Sequence, residues 1–362
     1  MKVLHIYPGN LFGGIESLLI TLAQARQLCP QMQPQFALCF EGRLSDDLRS
    51  LGVPVYKLGE VRTSRPWTVW RARQQLRQLL QAESFDLVVC HACWSQAMFA
   101  PVVKRLGRPL VFFCHDVPQG QHWLERWAKL TPPDFVLANS QFTQAALPKL
   151  YPQTSSQVFY LPVLHPPPTA ARSAVRSPLQ TSASAVVIIQ VSRLERWKGQ
   201  TVLLEALAEL QDLPNWVCWI VGGDQRPQET LYLEALKAQA AEMAERVKFL
   251  GQRRNVPDLL AAADIFCQPN LSPEPFGIVF VEALLAGLPV VATQIGGAAE
   301  LISDRGLVPP ADSKALAAVL RPLIQNPVAR AELAQGGRSR AKHLCDPAQQ
   351  LQQLYKLLAR VV

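Results

Sequence analysis

The sequence predicts an α/β protein built from two Rossmann-like, doubly wound domains facing a cleft. Three observations predict it. Short apolar runs alternate with longer amphipathic ones along most of the chain, a pattern that gives parallel strands with helices over both faces. The alternation stops once, in a stretch rich in Pro, Ser and Ala, and then restarts. A chain of 362 residues that is 49% hydrophobic and 18% charged is too long for one ordinary core and has apolar material for two.

Residues 1–165 read as the first domain, with strand patterns at 3–7, 36–40, 53–58, 87–90, 110–114 and 135–138. Helical spacing covers 16–28 and 67–80. Residues 166–184, which include Pro166, Pro167 and Pro168, lack an apolar period and read as a linker. The second domain, 185–340, carries strand patterns at 186–191, 216–221, 247–250, 265–267 and 290–292, and helical ones at 201–210, 230–244 and 280–286. Residues 312–358 read as consecutive helices with breaks at Pro322, Pro327 and Pro347. The segment 341–362 is expected to be a helix that crosses back to the first domain.

The net charge is +8, and residues 1–165 hold most of it, with 16 Lys and Arg against 10 Asp and Glu. A basic first half points to an anionic partner: a phosphate-bearing acceptor, a membrane surface or nucleic acid. Nucleic acid explains the charge and nothing else in the sequence, so it is set aside. No stretch approaches the roughly 18 uncharged apolar residues of a spanning helix. The first ten residues are too interrupted, at His5, Pro8 and Gly9, for a signal peptide. The expectation is a cytoplasmic protein, soluble or peripheral at the inner face of a membrane. Cys90 and Cys93 could form a redox or metal pair, but no second pair stands at ligand spacing. The eight cysteines read as buried free thiols, with no metal site.

Two segments of the second domain carry the chemistry. The first runs from Glu274 through Phe276, Gly277, Ile278 and Val279 to Glu282, after the strand pattern at 265–267 and at the start of a helix. Gly277 lets backbone come close to a ligand, and free N–H groups at Gly277, Ile278 and Val279 make a positive helix end that suits a diphosphate. Glu274 before the helix and Glu282 within it can accept hydrogen bonds from sugar hydroxyls. Glu274 taken alone could equally be a helix-terminal acid that suits the dipole. The second segment runs from Ser192 and Arg193 to Lys198 and Gly199, after the first strand of the domain. Two fixed cations there stabilise the charge that grows on a departing diphosphate; alone they would be solvated loop cations. In the first domain, Gly13 and Gly14 form a glycine-rich turn that lacks the spacing of a dinucleotide fingerprint. His115 and Asp116 end another strand and face the same cleft.

The strings SRLERWKG, VGGD, VKFLGQRRNVPDLLAAADIFCQPN, EPFGIVFVEALLAGLPVVAT and GGAAELI resemble the retaining family 4 (group 1) glycosyltransferases of GT-B fold, over nearly all of the second domain. The first domain resembles that family at Gly13 and Gly14, at His115 and Asp116, and at Asn139 and Ser140. The resemblance implies transfer of a sugar from a nucleotide-sugar donor to an acceptor hydroxyl on a polysaccharide, a lipid-linked glycan or another glycan. It implies retention at the anomeric carbon with no metal ion and no cofactor, the nucleotide-sugar being a substrate. Among the residues, Arg193 and Lys198 would hold the diphosphate, Glu274 and His115 would meet the transferred sugar, and Glu282 the ribose. Phe276, Gly277, Ile278 and Val279 would line the phosphate site, Gly13 and Gly14 would approach donor or acceptor, and backbone around Arg253 and Arg254 would touch the base. The family usually has Gly before the first cation, where this chain has Ser192. The chain holds no Asp-x-Asp, the metal–diphosphate signature of the other large glycosyltransferase class.

Arg62, Arg65, Arg71, Arg73 and Arg77 cluster with Trp67 and Trp70 on one helical stretch, and Trp123 and Trp127 stand at helical spacing nearby. Basic helices with aromatic residues suit an anionic membrane surface; the alternative is Trp in the core and solvated Arg. A sugar-nucleotide epimerase of the same fold, or a non-catalytic sugar-nucleotide-binding protein, also fits the sequence.

Overall fold

The computed structural model describes residues 1–10, 13–224 and 226–362. Leu11, Phe12 and Gln225 fall outside this set. The chain divides into two units, one formed by Met1–Leu164 with Leu344–Val362 and the other by His165–His343.

In the first unit the strands are β1 (Lys2–Tyr7), β2 (Gln33–Leu38), β3 (Val55–Lys57), β4 (Leu87–His91), β5 (Leu110–Cys114), β6 (Phe135–Ala138) and β7 (Ser156–Val158). They form a parallel sheet in the order β3-β2-β1-β4-β5-β6-β7. Every residue of β4 and β5 is buried, which is why both read as continuous apolar runs rather than alternating ones. Leu4, Ile6, Val88, Cys90 and Leu110 meet Leu76, Phe99 and Val103 in the core on one face.

In the second unit the strands are β8 (Val186–Val191), β9 (Trp216–Val221), β10 (Val247–Gly251), β11 (Ile265–Gln268), β12 (Val290–Thr293) and β13 (Leu307–Val308). The sheet order is β10-β9-β8-β11-β12-β13, again parallel. Its core joins Ile188, Trp216, Cys218, Ile265 and Cys267 to Leu203, Leu207, Leu236 and Leu320. Each of the Leu and Ile side chains, fully buried, contributes about 1.5–3 kcal/mol relative to exposure.

The orders have the same consequence in both sheets. Strand order reverses between β1 and β4 in one and between β8 and β11 in the other. Loops leaving the carboxyl ends on either side of such a reversal diverge and leave a crevice, where doubly wound folds hold their ligands.

The stretch 166–184 is not a linker. It contains the helix Arg172–Arg176 and is fixed to the second unit by polar bonds that no apolar period could announce. Arg176, only 2% exposed, bonds the carbonyl oxygens of Ala262 at 2.9 Å and Ala185 at 2.9 Å, and the Asp264 carboxylate at 2.7 Å. Asp258 accepts from the Thr169 amide at 2.6 Å, and Lys248 Nζ donates to the Gln180 carbonyl at 2.8 Å. Pro322 does not break its helix either, but lies inside Ser313–Gln325. Pro327 and Pro347 instead open helices at positions where a missing N–H costs nothing, behind the caps Asn326 and Asp346. Helix Pro347–Leu358 belongs to the first unit, where Gln352 Nε2 donates to the Leu28 carbonyl at 3.1 Å.

Candidate functional site

The loops at the reversal in the second sheet bring a cation and a carboxylate together. After β8 the chain runs through Arg193 to a single turn, Arg196–Lys198; after β11 it runs through Asn270 and Glu274 to the helix Ile278–Leu285. Lys198 Nζ donates to Glu274 Oε2, and the two side chains keep only 10% and 13% exposure. Asn270 Nδ2 donates to the same oxygen at 3.2 Å. Oε1 of Glu274 meets no donor among the described residues and stays available to a ligand hydroxyl. Burial holds the Lys198 ammonium below its ordinary range, while Glu274 acts in the opposite direction. Two charges taken out of water are retained only where attraction and hydrogen bonds offset the desolvation.

The backbone fixes this pair from both sides. Gly199 sits at φ +72°, and a Cβ there would overlap the Pro269 carbonyl, so the two loops touch at a position only glycine fills. Leu271 N donates to the Trp197 carbonyl at 2.7 Å, and buried Gln190 Nε2 to the Lys198 carbonyl at 2.8 Å. Gly297 N donates to the Glu274 carbonyl at 2.8 Å, tying that loop to the one after β12.

Arg193 stands at the rim. Its Nη1 lies 3.1 Å from Glu195 Oε1 with 35% of the side chain exposed. Its charge reaches Lys198 and helps lower that ammonium. Ser192, where the family usually has Gly, accepts from Gln200 Nε2 at 3.0 Å, so the extra hydroxyl is bonded within the loop.

The helix Ile278–Leu285 starts at Gly277, with no side-chain cap and no acid in its first turn. Its first amides and the positive end of its dipole are therefore left for a ligand anion. Gly277 itself, at φ +85°, is required by the protein, since a Cβ there would overlap the Phe280 ring. Phe276 is 2% exposed and belongs to the core. Glu282 is partly buried, has no side-chain partner among the described residues, and is raised to about 7 by desolvation. Arg253 is exposed in the loop at the carboxyl end of β10. No contact among the described residues joins Glu282 or Arg253 to the Lys198–Glu274 pair.

In the first unit, the Gly13 amide donates to the Glu16 carboxylate at 2.9 Å, at the start of helix Gly14–Gln24. His115 follows β5 and ends a row of three imidazoles. His5 Nδ1 lies 2.9 Å from His91 Nε2, and His91 Nδ1 lies 2.9 Å from His115 Nε2. Register explains the row. His5 pairs with Val89, and His91 pairs with Phe113. Each next histidine therefore stands two residues further along, on the same face of the sheet. Burial lowers His5 and His115 to about 3, and His91 falls well below its ordinary value for the same reason, aided by its two neighbours. Sequence reasoning missed His5 and His91; a histidine in or at the end of each of three apolar runs was the one available signal. Among the described residues, no group of three or more His, Cys, Asp or Glu is placed to hold a metal ion.

Two family models match this chain: "Glycosyltransferase Family 4" over residues 12–163 and "Glycosyl transferases group 1" over residues 173–340. The chain belongs to the family 4, group 1 glycosyltransferases. Its fold is GT-B, as in Anabaena HepE, solved with UDP and glucose and with UDP-glucose. The match to the first of these structures has a TM-score of 0.86 at 28% identity and covers 99% of both chains. This family 4 chain is also 38% identical to a phosphatidyl-myo-inositol mannosyltransferase of Mycobacterium leprae over 145 residues, which is 39% of this chain and 37% of that protein. It is 34% identical to a GDP-mannose-dependent monoacylated alpha-(1-6)-phosphatidylinositol monomannoside mannosyltransferase of Corynebacterium glutamicum, over 46% of this chain and 45% of that one. The chain thus spans less than half the length of these two relatives.

Proposed function

We propose that this family 4 chain transfers a glycosyl group, with retention and without a metal ion, from a nucleoside-diphosphate sugar to an acceptor hydroxyl. The buried Lys198–Glu274 pair beside an uncapped helix start carries this reading. Lys198, Arg193 and the amides of Ile278 and Val279 would offset the charge that grows on the diphosphate as its bond to the sugar breaks. Glu274 Oε1 would accept a sugar hydroxyl, Glu282 the ribose hydroxyls, and His115 would border the sugar. The acceptor hydroxyl would attack from the leaving-group face, its proton passing to the departing phosphate oxygen. That route asks for charge stabilisation more than for a dedicated base.

The acceptor is proposed to be lipid-anchored and the protein to work peripherally at the inner face of a membrane. Support comes from helix Pro66–Ala82, where Trp67 and Trp70 are 61% and 64% exposed, beside exposed Arg71 and Arg77. Arg62 and Arg65, also exposed, precede it. Arg73 is not part of that surface: its guanidinium donates to the Met98 carbonyl at 2.6 Å and lies 5.8 Å from the Trp127 ring. No helix of the described residues is long and apolar enough to cross a membrane.

Titration with UDP-glucose and GDP-mannose, followed by NMR of the anomeric proton of the product formed on phosphatidylinositol vesicles, tests the reading. One of the two should bind, and the product should keep the donor's configuration. A chain that binds neither would overturn it.

A further inference from the structure

The row of imidazoles in the first unit has no part in the chemistry described so far, apart from its outer member. A neutral imidazole has one N–H and one bare nitrogen. Each 2.9 Å contact in the row needs one of each. Once one ring chooses, all three are fixed, so the neutral row has only two states. In the first, every ring donates inward: His115 Nε2–H to His91, then His91 Nε2–H to His5. His5 must then carry its remaining proton on Nε2. In the second, every ring donates outward from Nδ1, and His5 Nε2 is bare.

The inner end decides between them. His5 Nε2 is buried and meets no hydrogen-bond partner among the described residues. A buried N–H without an acceptor is the rarer and costlier orphan, while an unsatisfied acceptor is better tolerated. The outward state is the one that avoids it. The row is least enclosed at its outer end, where His115 is 6% exposed against 1% for His5 and 0% for His91. A charged row is disfavoured by the same burial that lowers all three groups.

We propose that His91, seconded by His5, is a positioning residue that locks His115 in the Nδ1–H tautomer, so that the first unit presents a neutral hydrogen-bond donor to an oxygen of the sugar. The tautomer lock stands on the row alone. The word "sugar" rests on the reading of His115 given above. A neutral donor discriminates in favour of hydroxyl oxygens without drawing a second phosphate to the spot, as an imidazolium would.

Nitrogen NMR of the full chain labelled in its histidine rings, with His115 assigned through His115→Asn, reads the tautomer directly. At pH 7 the wild type should show His115 protonated at Nδ1 and bare at Nε2. In His91→Asn the side-chain amide can replace the Nδ1–H donor, so the His115 tautomer should persist. In His91→Phe it should be lost, with affinity for whichever of UDP-glucose and GDP-mannose binds falling about tenfold. Affinity for the matching free nucleotide should stay unchanged. A wild-type His115 protonated at Nε2, or doubly protonated, would overturn the lock without recourse to any variant. A His91→Phe protein with an unaltered His115 spectrum would overturn it too. If the lock holds but His115→Asn binds both donors as the wild type does, the sugar half falls and the lock stands.

Discussion

Glu282 should make the second unit less stable as pH rises. Its carboxyl, partly buried and unanswered by any side chain among the described residues, is raised from 4.5 to about 7 by desolvation. Between those values the folded chain keeps a proton that the unfolded chain has released. Unfolding then sheds protons, and stability falls with rising pH, beginning near the unfolded value and complete above the folded one. A shift of that size corresponds to about 3 kcal/mol. Glu282→Gln removes the charge while keeping size and shape. At pH 5 the two proteins should melt together. At pH 8 the Gln protein should be more stable by about 3 kcal/mol, which is about 6–12 °C for a unit of this size. Calorimetry of both proteins across that range measures the difference. The Gln protein should also bind UDP or GDP more weakly, because the charged acceptor proposed for the ribose is gone. An equal gap at both pH values would refute the reasoning, since it would place the effect in packing rather than in a buried charge.

The three histidines act in the opposite direction of pH. Each is held neutral in the fold, so the unfolded chain takes up three protons that the folded one refuses, and stability should fall below pH 6.5 with a limiting slope of about 4 kcal/mol per pH unit; acid titration monitored by near-UV circular dichroism should show the slope shrink in His5→Phe. Gly199→Ala combines a left-handed backbone with an overlap on the Pro269 carbonyl and should cost about 2–4 kcal/mol. Gly251→Ala, also at positive φ but facing open space, should cost about 1–2 kcal/mol, and denaturant melts compare the two. Arg176→Met strips the Asp264 carboxylate and several carbonyls of a buried donor and should destabilise the second unit by about 3–5 kcal/mol, seen by urea titration.

Much of this was legible in the residues because the signals were strong where both faces of a sheet are buried. Val186–Val191 and Trp216–Val221 could be read to the residue, as apolar runs bounded by turns, the first interrupted only by Gln190. Ser156–Val158 and Leu307–Val308 could not, being strands of three and two residues too short to carry a period. The linker reading failed because residues 166–184 are held by Arg176, Asp258 and Lys248 rather than by an apolar face. In the site, spacing placed Arg193 and Lys198 on one loop and Glu274 before a helix. The ion pair between Lys198 and Glu274 joins residues 76 apart and depends on β8 lying beside β11. The histidine row was hidden for the same reason, because it is a property of register between strands. Arg73 was misplaced on the basic surface because its Cα lies on an exposed helix while its guanidinium reaches inward to the Met98 carbonyl.

Protein cations and a bare helix end, rather than a divalent ion, are proposed to hold the diphosphate. Calorimetric titration of UDP and GDP in the presence of EDTA tests this most directly, in the wild type and in Arg193→Ala, which leaves the Lys198–Glu274 pair intact. Binding of one nucleotide should survive EDTA in the wild type and weaken about 10- to 100-fold in the variant, the value of a charge-assisted hydrogen bond. Binding that vanishes with EDTA and returns with magnesium or manganese, or that ignores the loss of Arg193, would contradict it.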